Sequence, residues 1–131
     1  MQQRETTAAG IGGLELFTQA WLPEATLQGT IVIAHGLGEH SGRYAALAKE
    51  LAARGFAVYA LDHRGHGRSG GPRANIGRFA HLVSDFTAFV GRCARQHVDT
   101  PVYVLGHSMG GAVAFASALR LQHRSEERRV G

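Results

Sequence analysis

The chain has 131 residues, 44% hydrophobic and 18% charged, with a formal net charge of +4, which suits one domain with a buried core. Its basic residues are scattered and lack interleaved aromatics, so no nucleic-acid partner is expected. No apolar run approaches the ~20 residues that span a bilayer, and the opening MQQRETTAAG has no signal-peptide core. Cys93 is the single cysteine and cannot form an internal disulfide, so the expectation is a soluble, cytoplasmic protein.

In chain order, GLELFTQAWLP alternates apolar and polar residues up to Pro23, which predicts a strand with one buried face. The weak extended stretch around Arg4–Ala8 is a candidate partner for it. GTIVIAHG is a short β-branched run closed by glycine, suited to a strand covered on both faces of a parallel sheet. RYAALAKELAARG predicts a helix, with Leu47 and Leu51 one turn apart beside Tyr44 and Ala48, and Gly55 as its stop.

FAVYALD reads as a second buried strand, and the glycine-rich loop HRGHGRSGGPRANIG leads to a helix from about Phe79 to Gln96. Leu82, Phe86, Phe89, Val90 and Cys93 keep helical spacing along that helix. PVYVLG is a third buried strand, and SMGGAVAFASALRLQ is a helix with small residues on its first turns. Strands alternating with helices in this way call for an α/β fold with a mainly parallel sheet and right-handed crossovers.

The segment GHSMG, residues 106–110, fits G-x-S-x-G between a buried strand and an alanine-rich helix. In that setting Ser108 sits on a sharp strand-to-helix turn with its hydroxyl raised above the sheet edge, a nucleophile in waiting. The plainer reading of the same residues is a glycine turn with an N-cap serine. A second glycine loop, HGLGEHSGRY, follows the TIVIA strand at the corresponding edge. Parallel strands gather their C-terminal ends on one side, so this loop and Ser108 should face one crevice. The backbone N–H groups of Leu37 and Met109 would then form a two-donor oxyanion hole.

DHRGHGRS offers Asp62, His63 and His66 as metal ligands, yet no second cluster completes a tetrahedral set, so no metal is expected. His35 and His107 adjoin key positions and read as packing or turn residues rather than bases.

Together HGLGEHSGRY, LDHRGHGRSGG and LGHSMGG resemble the monoacylglycerol lipase and lysophospholipase (serine aminopeptidase-like) branch of the α/β-hydrolase superfamily. The resemblance covers about residues 14–122. It implies a cofactor-free serine hydrolase acting on small or single-chain carboxylic esters, with Ser108 as nucleophile and Leu37 and Met109 as oxyanion donors. It also suggests that Glu39 and Arg43 form a polar pocket for the alcohol part of the substrate; an intraloop ion pair that holds the turn is the alternative. Acyl transfer, peptidase or thioesterase chemistry on the same fold, and a catalytically dead binding module, stand as other readings.

In this fold an Asp or Glu and then a His follow the serine. After Ser108 there is no aspartate, and His123 is the only histidine, roughly 20 Å along the same helix. Glu126 and Glu127 fall in RSEERRVG, which equals a translation of one reading frame of a widely used sequencing-library adapter. Residues 124–131, whose plainer reading is a frayed helix end, are set aside as an expected foreign tail, and residues 1–123 are expected to be the N-terminal half of an α/β-hydrolase domain, cut after the elbow helix. The triad acid and base, and a lid able to touch lipid at a membrane surface, would lie outside this chain. Triad catalysis is not expected of it alone, and the PVYVL strand should be left as an association-prone sheet edge.

Overall fold

The computed structural model describes residues 1–130, with side-chain surroundings for residues 1–123. Strands β1 (Gln2–Ala9) and β2 (Glu15–Leu22) form an antiparallel hairpin through a short 3-10 turn, Ile11–Gly13. Then follow β3 (Gly29–Ala34), α1 (Ala45–Ala53), β4 (Phe56–Leu61), α2 (Phe79–Gln96), β5 (Val102–Gly106) and α3 (Met109–Val130). The last helix runs on past residue 123, but the side chains of the stretch set aside above lie outside the described residues.

The sheet order is β1-β2-β4-β3-β5. The three helix-linked strands are parallel to one another, and the N-terminal hairpin joins them antiparallel through β2 and β4. All six residues of β3 are buried, as its uninterrupted apolar run requires of a central strand. Its side chains alternate between two cores. Ile31 and Ile33 pack with Trp21, Val58, Ala48 and Ala52 under α1. Val32 and Ala34 pack with Leu82, Phe86, Phe89, Val90, Cys93 and Val113 beneath α2 and α3. The stripe expected on α2 is thus its buried face, and its bounds are those expected.

Three local expectations are corrected. Along β2 the alternation is overridden, because both faces of the strand are covered, one of them by the loop after β3. Thr18 and Gln19 are both buried, and Gln19 Nε2 donates to Ser41 Oγ at 2.6 Å. On α1, Leu47 is 43% exposed, and Ala48 and Ala52 meet the sheet instead. Small side chains let the helix lie close over Trp21 and Val58, while Tyr44 and Leu51 pack at its margins. Finally β5 is only half-buried. Among the described strands it pairs with β3 alone, and Tyr103 and Leu105 are exposed at the sheet edge.

Candidate active site

Register decides where the loops emerge. Ala34 pairs with Leu61 on one side and with Gly106 on the other. Residues 35, 62 and 107 therefore leave the sheet side by side at its C-terminal edge, and the three motifs read in the sequence meet there.

Ser108 occupies the turn between β5 and α3 with φ +58, a left-handed conformation that costs a non-glycine residue about 1–2 kcal/mol. The flanking glycines make that turn sterically feasible. A Cβ at Gly110 would fall on the Ala34 carbonyl, and one at Gly106 on the backbone of Gly110. Only hydrogen fits at either position, so the G-x-S-x-G spacing follows from how tightly the elbow is folded against β3. Ser108 is exposed, and its hydroxyl has no hydrogen-bond partner among the described residues. Met109 opens α3, where backbone N–H groups have no intrahelical acceptor and the helix dipole favours negative charge.

Across from the elbow, Gly36 stands against the serine. A Cβ there would lie 3.1 Å from the His107 carbonyl oxygen and 3.4 Å from Ser108 Cβ. Leu37 follows and is 59% exposed. Among the described residues, neither the Leu37 nor the Met109 amide donates to any acceptor.

Glu39 accepts from the Gly36 amide at 2.7 Å and from the Tyr44 hydroxyl at 2.8 Å, and pairs with Arg43 Nη1 at 3.0 Å. The intraloop ion pair considered in the sequence is thus present. These contacts, the Gly36 N–H foremost, pull the Glu39 carboxyl down to about 2. Burial and donation to Glu39 raise the Tyr44 hydroxyl to about 12.

Beneath the loop lie three buried imidazoles. His35 Nδ1 donates to the Gly36 carbonyl at 2.7 Å while its Nε2 accepts from the His63 amide at 2.9 Å. His63 Nε2 in turn donates to the His35 carbonyl at 3.0 Å. The His35 ring lies 4.2 Å from that of His63 and 5.3 Å from that of His66. Burial holds His35 below its ordinary value and His63 down to about 3, so both are neutral at pH 7. His107 is well exposed, with Nδ1 3.4 Å from Glu39 Oε1. His35 thus packs between the loops after β3 and β4, while His107 lies at the surface beside Glu39.

Asp62 joins the two glycine loops, accepting from the Ser41 amide at 2.6 Å and the Arg68 amide at 2.9 Å. Among the described residues no group of three or more His, Cys, Asp or Glu side chains could hold a metal ion.

Sequence reasoning missed the strongest anchor of the loop after β4. Arg64 Nε lies 2.8 Å from Asp85 Oδ2 and its Nη2 lies 3.1 Å from Oδ1, with the Asp85 side chain fully buried. The same two side chains clasp the hairpin turn, through the Ile11 amide to Asp85 at 2.8 Å and Arg64 to the Ile11 carbonyl at 2.9 Å. A signal was available: Asp85 falls on the apolar stripe of α2, between Leu82 and Phe86, where an unpaired carboxylate would be costly.

This sheet order, with a left-handed serine between a parallel strand and a helix, defines an α/β-hydrolase. The family model described as serine aminopeptidase, S33 (Hydrolase_4) matches residues 25–128, and the chain belongs to that family. It is 47% identical over 116 residues to a monoacylglycerol lipase of Mycolicibacterium smegmatis, which covers 88% of this chain and 41% of that protein. It is 46% identical over 114 residues to the human monoglyceride lipase, covering 81% of this chain and 35% of that protein. The chain thus spans well under half the length of either relative. A carboxyl esterase from Bacillus coagulans, solved with glycerol, superposes with a TM-score of 0.81 at 28% identity, covering 90% of this chain and 40% of that one. No helix among the described residues is long and apolar enough to cross a membrane.

Proposed function

We propose that this chain carries the nucleophile half of a cytoplasmic serine hydrolase that cleaves single-chain carboxylic esters of the monoacylglycerol or lysophospholipid kind. The observation that carries the reading is Ser108, exposed and held at φ +58 in the turn between β5 and α3, with Gly36 of the loop after β3 packed against it. The names of the relatives support the substrate class.

In the reaction, a histidine outside this chain takes the Ser108 proton as Oγ attacks the ester carbonyl. The Leu37 and Met109 amides receive the negative charge on the former carbonyl oxygen. The alcohol leaves with a proton, an acyl-Ser108 remains, and water releases the acid and restores the hydroxyl. Glu39 and Arg43 border this centre. Within these 131 residues no histidine other than His123 follows the serine, so the isolated chain should turn over substrate only at the residual level left when a triad member is lost.

The test uses the gene in its source DNA. Reading across codon 123 should replace the residues 124–131 stretch with further coding sequence that contains an aspartate and then a histidine. A genuine stop there would instead favour a binding module. In the protein so completed, Ser108→Ala should abolish hydrolysis of p-nitrophenyl butyrate and of a monoacylglycerol, and an unchanged rate would remove Ser108 from the role of nucleophile.

A further inference from the structure

Glu39 is the most heavily used acceptor at the site, and its partners lie on both sides of the crevice. Oε1 receives the Gly36 amide at 2.7 Å, the Tyr44 hydroxyl at 2.8 Å and His107 Nδ1 at 3.4 Å. Oε2 holds Arg43 at 3.0 Å. A carboxylate oxygen offers about two lone-pair sites, so Oε1 is saturated before any substrate arrives. The side chain is only 10% exposed, whereas that of Arg43 is 68% exposed.

The placement of those donors gives them meaning. Gly36 immediately precedes Leu37, and His107 immediately precedes Ser108. Tyr44 stands at the N-terminus of α1, so it ties the carboxylate to a packed helix rather than to another loop. The carboxylate lies within van der Waals range of the backbone, since a Cβ at Gly36 would sit 2.9 Å from Oε1. The donor loop and the elbow are thus referenced to one fixed anion.

We propose that Glu39 is a positioning residue of the oxyanion hole: by binding the residue before Leu37 and the residue before Ser108, it sets the distance between the two amides and the nucleophile. Arg43 is the member of the pair left facing outward. The catalytic consequence rests on the esterase reading above; the clamp itself does not. Because the donors hold the Glu39 carboxyl down to about 2, the clamp stays charged throughout the neutral range.

Loosening an oxyanion donor by about 1 Å can cost up to roughly 100-fold in rate. In the full-length hydrolase, Glu39→Gln should therefore lower kcat about 10- to 100-fold. The loss should be equal for p-nitrophenyl butyrate and for a monoacylglycerol, with KM within about twofold of wild type. The equality is diagnostic, because the nitrophenyl ester has no polyol for a substrate-binding carboxylate to hold. In the 131-residue chain labelled with 15N, Glu39→Gln should move the Gly36 amide proton upfield and displace the Leu37 and Met109 resonances with it. Tyr44→Phe keeps the carboxylate and removes one donor; it should give a smaller loss with the same pattern, and it supplies the comparison if Glu39→Gln does not fold. A loss confined to the monoacylglycerol and expressed in KM would overturn the proposal, as would unmoved Leu37 and Met109 resonances in a folded variant. If the wild-type full-length protein hydrolyses no ester, the proposed function fails while the amide resonances still decide the clamp.

Discussion

Replacing Asp85 by Asn tests the anchor that holds the loop after β4. The Asp85 carboxylate, fully buried, accepts from Arg64 Nε at 2.8 Å, from Arg64 Nη2 at 3.1 Å and from the Ile11 amide at 2.8 Å. Asparagine keeps the shape but offers one acceptor oxygen where there were two. It also leaves the guanidinium, about 10% exposed, without a counter-charge. Hydrogen bonds to charged groups contribute about 1.5–3 kcal/mol each, and breaking a buried pair by removing one partner costs about 3–5 kcal/mol. Taking the second figure, which already includes the stranded charge, Asp85→Asn should lose about 3–5 kcal/mol of a total of about 5–15 kcal/mol. At about 4 °C per kcal/mol for a domain of this size, the midpoint should fall by roughly 12–20 °C. Urea unfolding and thermal circular dichroism of the variant beside wild type measure this directly. The double change Arg64→Met with Asp85→Leu, which strands no charge, should recover most of the loss. A loss below about 1 kcal/mol for Asp85→Asn would refute the reasoning, because the pair would then be solvated like a surface one.

Further predictions concern pH, strain and packing. Burial depresses His35 and His63, the latter to about 3, so the unfolded chain binds protons below about pH 6.5 that the fold cannot. Their contribution is complete above pH 6.5 and is lost as pH falls towards 3, at about 1.4 kcal/mol per pH unit for His63 alone. Glu39 titrates lower, so urea midpoints between pH 6.5 and 4.5 report on the histidines that burial lowers, His97 among them; a flat profile there would contradict the burial of His35 and His63 as neutral rings. Ser108→Gly should abolish the proposed ester hydrolysis in the full-length protein yet stabilise the fold by about 0.5–1 kcal/mol, because relief of the left-handed φ outweighs the entropy of the added glycine. Destabilisation by that change would show the turn to be unstrained. On α1, Ala48→Leu should cost about 1–3 kcal/mol by overpacking against the sheet, whereas Leu47→Gln should stay within about 0.5 kcal/mol. Chemical denaturation of both variants checks the orientation of the helix, and the reverse order would mean that the leucine stripe is buried after all.

Much of the fold was legible locally. The run GTIVIA can only be a strand covered on both faces, and the stripe from Leu82 to Cys93 can only bury as one side of a helix. Periodicity is a short-range property, so these elements needed no partner to be recognised. Ser108 was legible for a related reason: a close-packed elbow tolerates only glycine two positions to either side of it, and that steric demand is printed in five consecutive residues.

What the sequence could not decide depends on which element lies beside which. Alternation in β2 predicts one buried face, but cover on both faces, including the loop that carries Ser41, buries Thr18 and Gln19 alike. Leu47 is as apolar as Leu51, and only the close approach of α1 to the sheet made alanine the contact residue. The pairing of Arg64 with Asp85 spans 21 positions, and that of Glu39 with His107 spans 68. The local order of residues along the chain thus determined the strands, the helices and the elbow. The sheet register, which brings residues 35, 62 and 107 to one edge, decided that Glu39 would face the elbow, because a carboxylate selects its donors by distance in space and not along the chain.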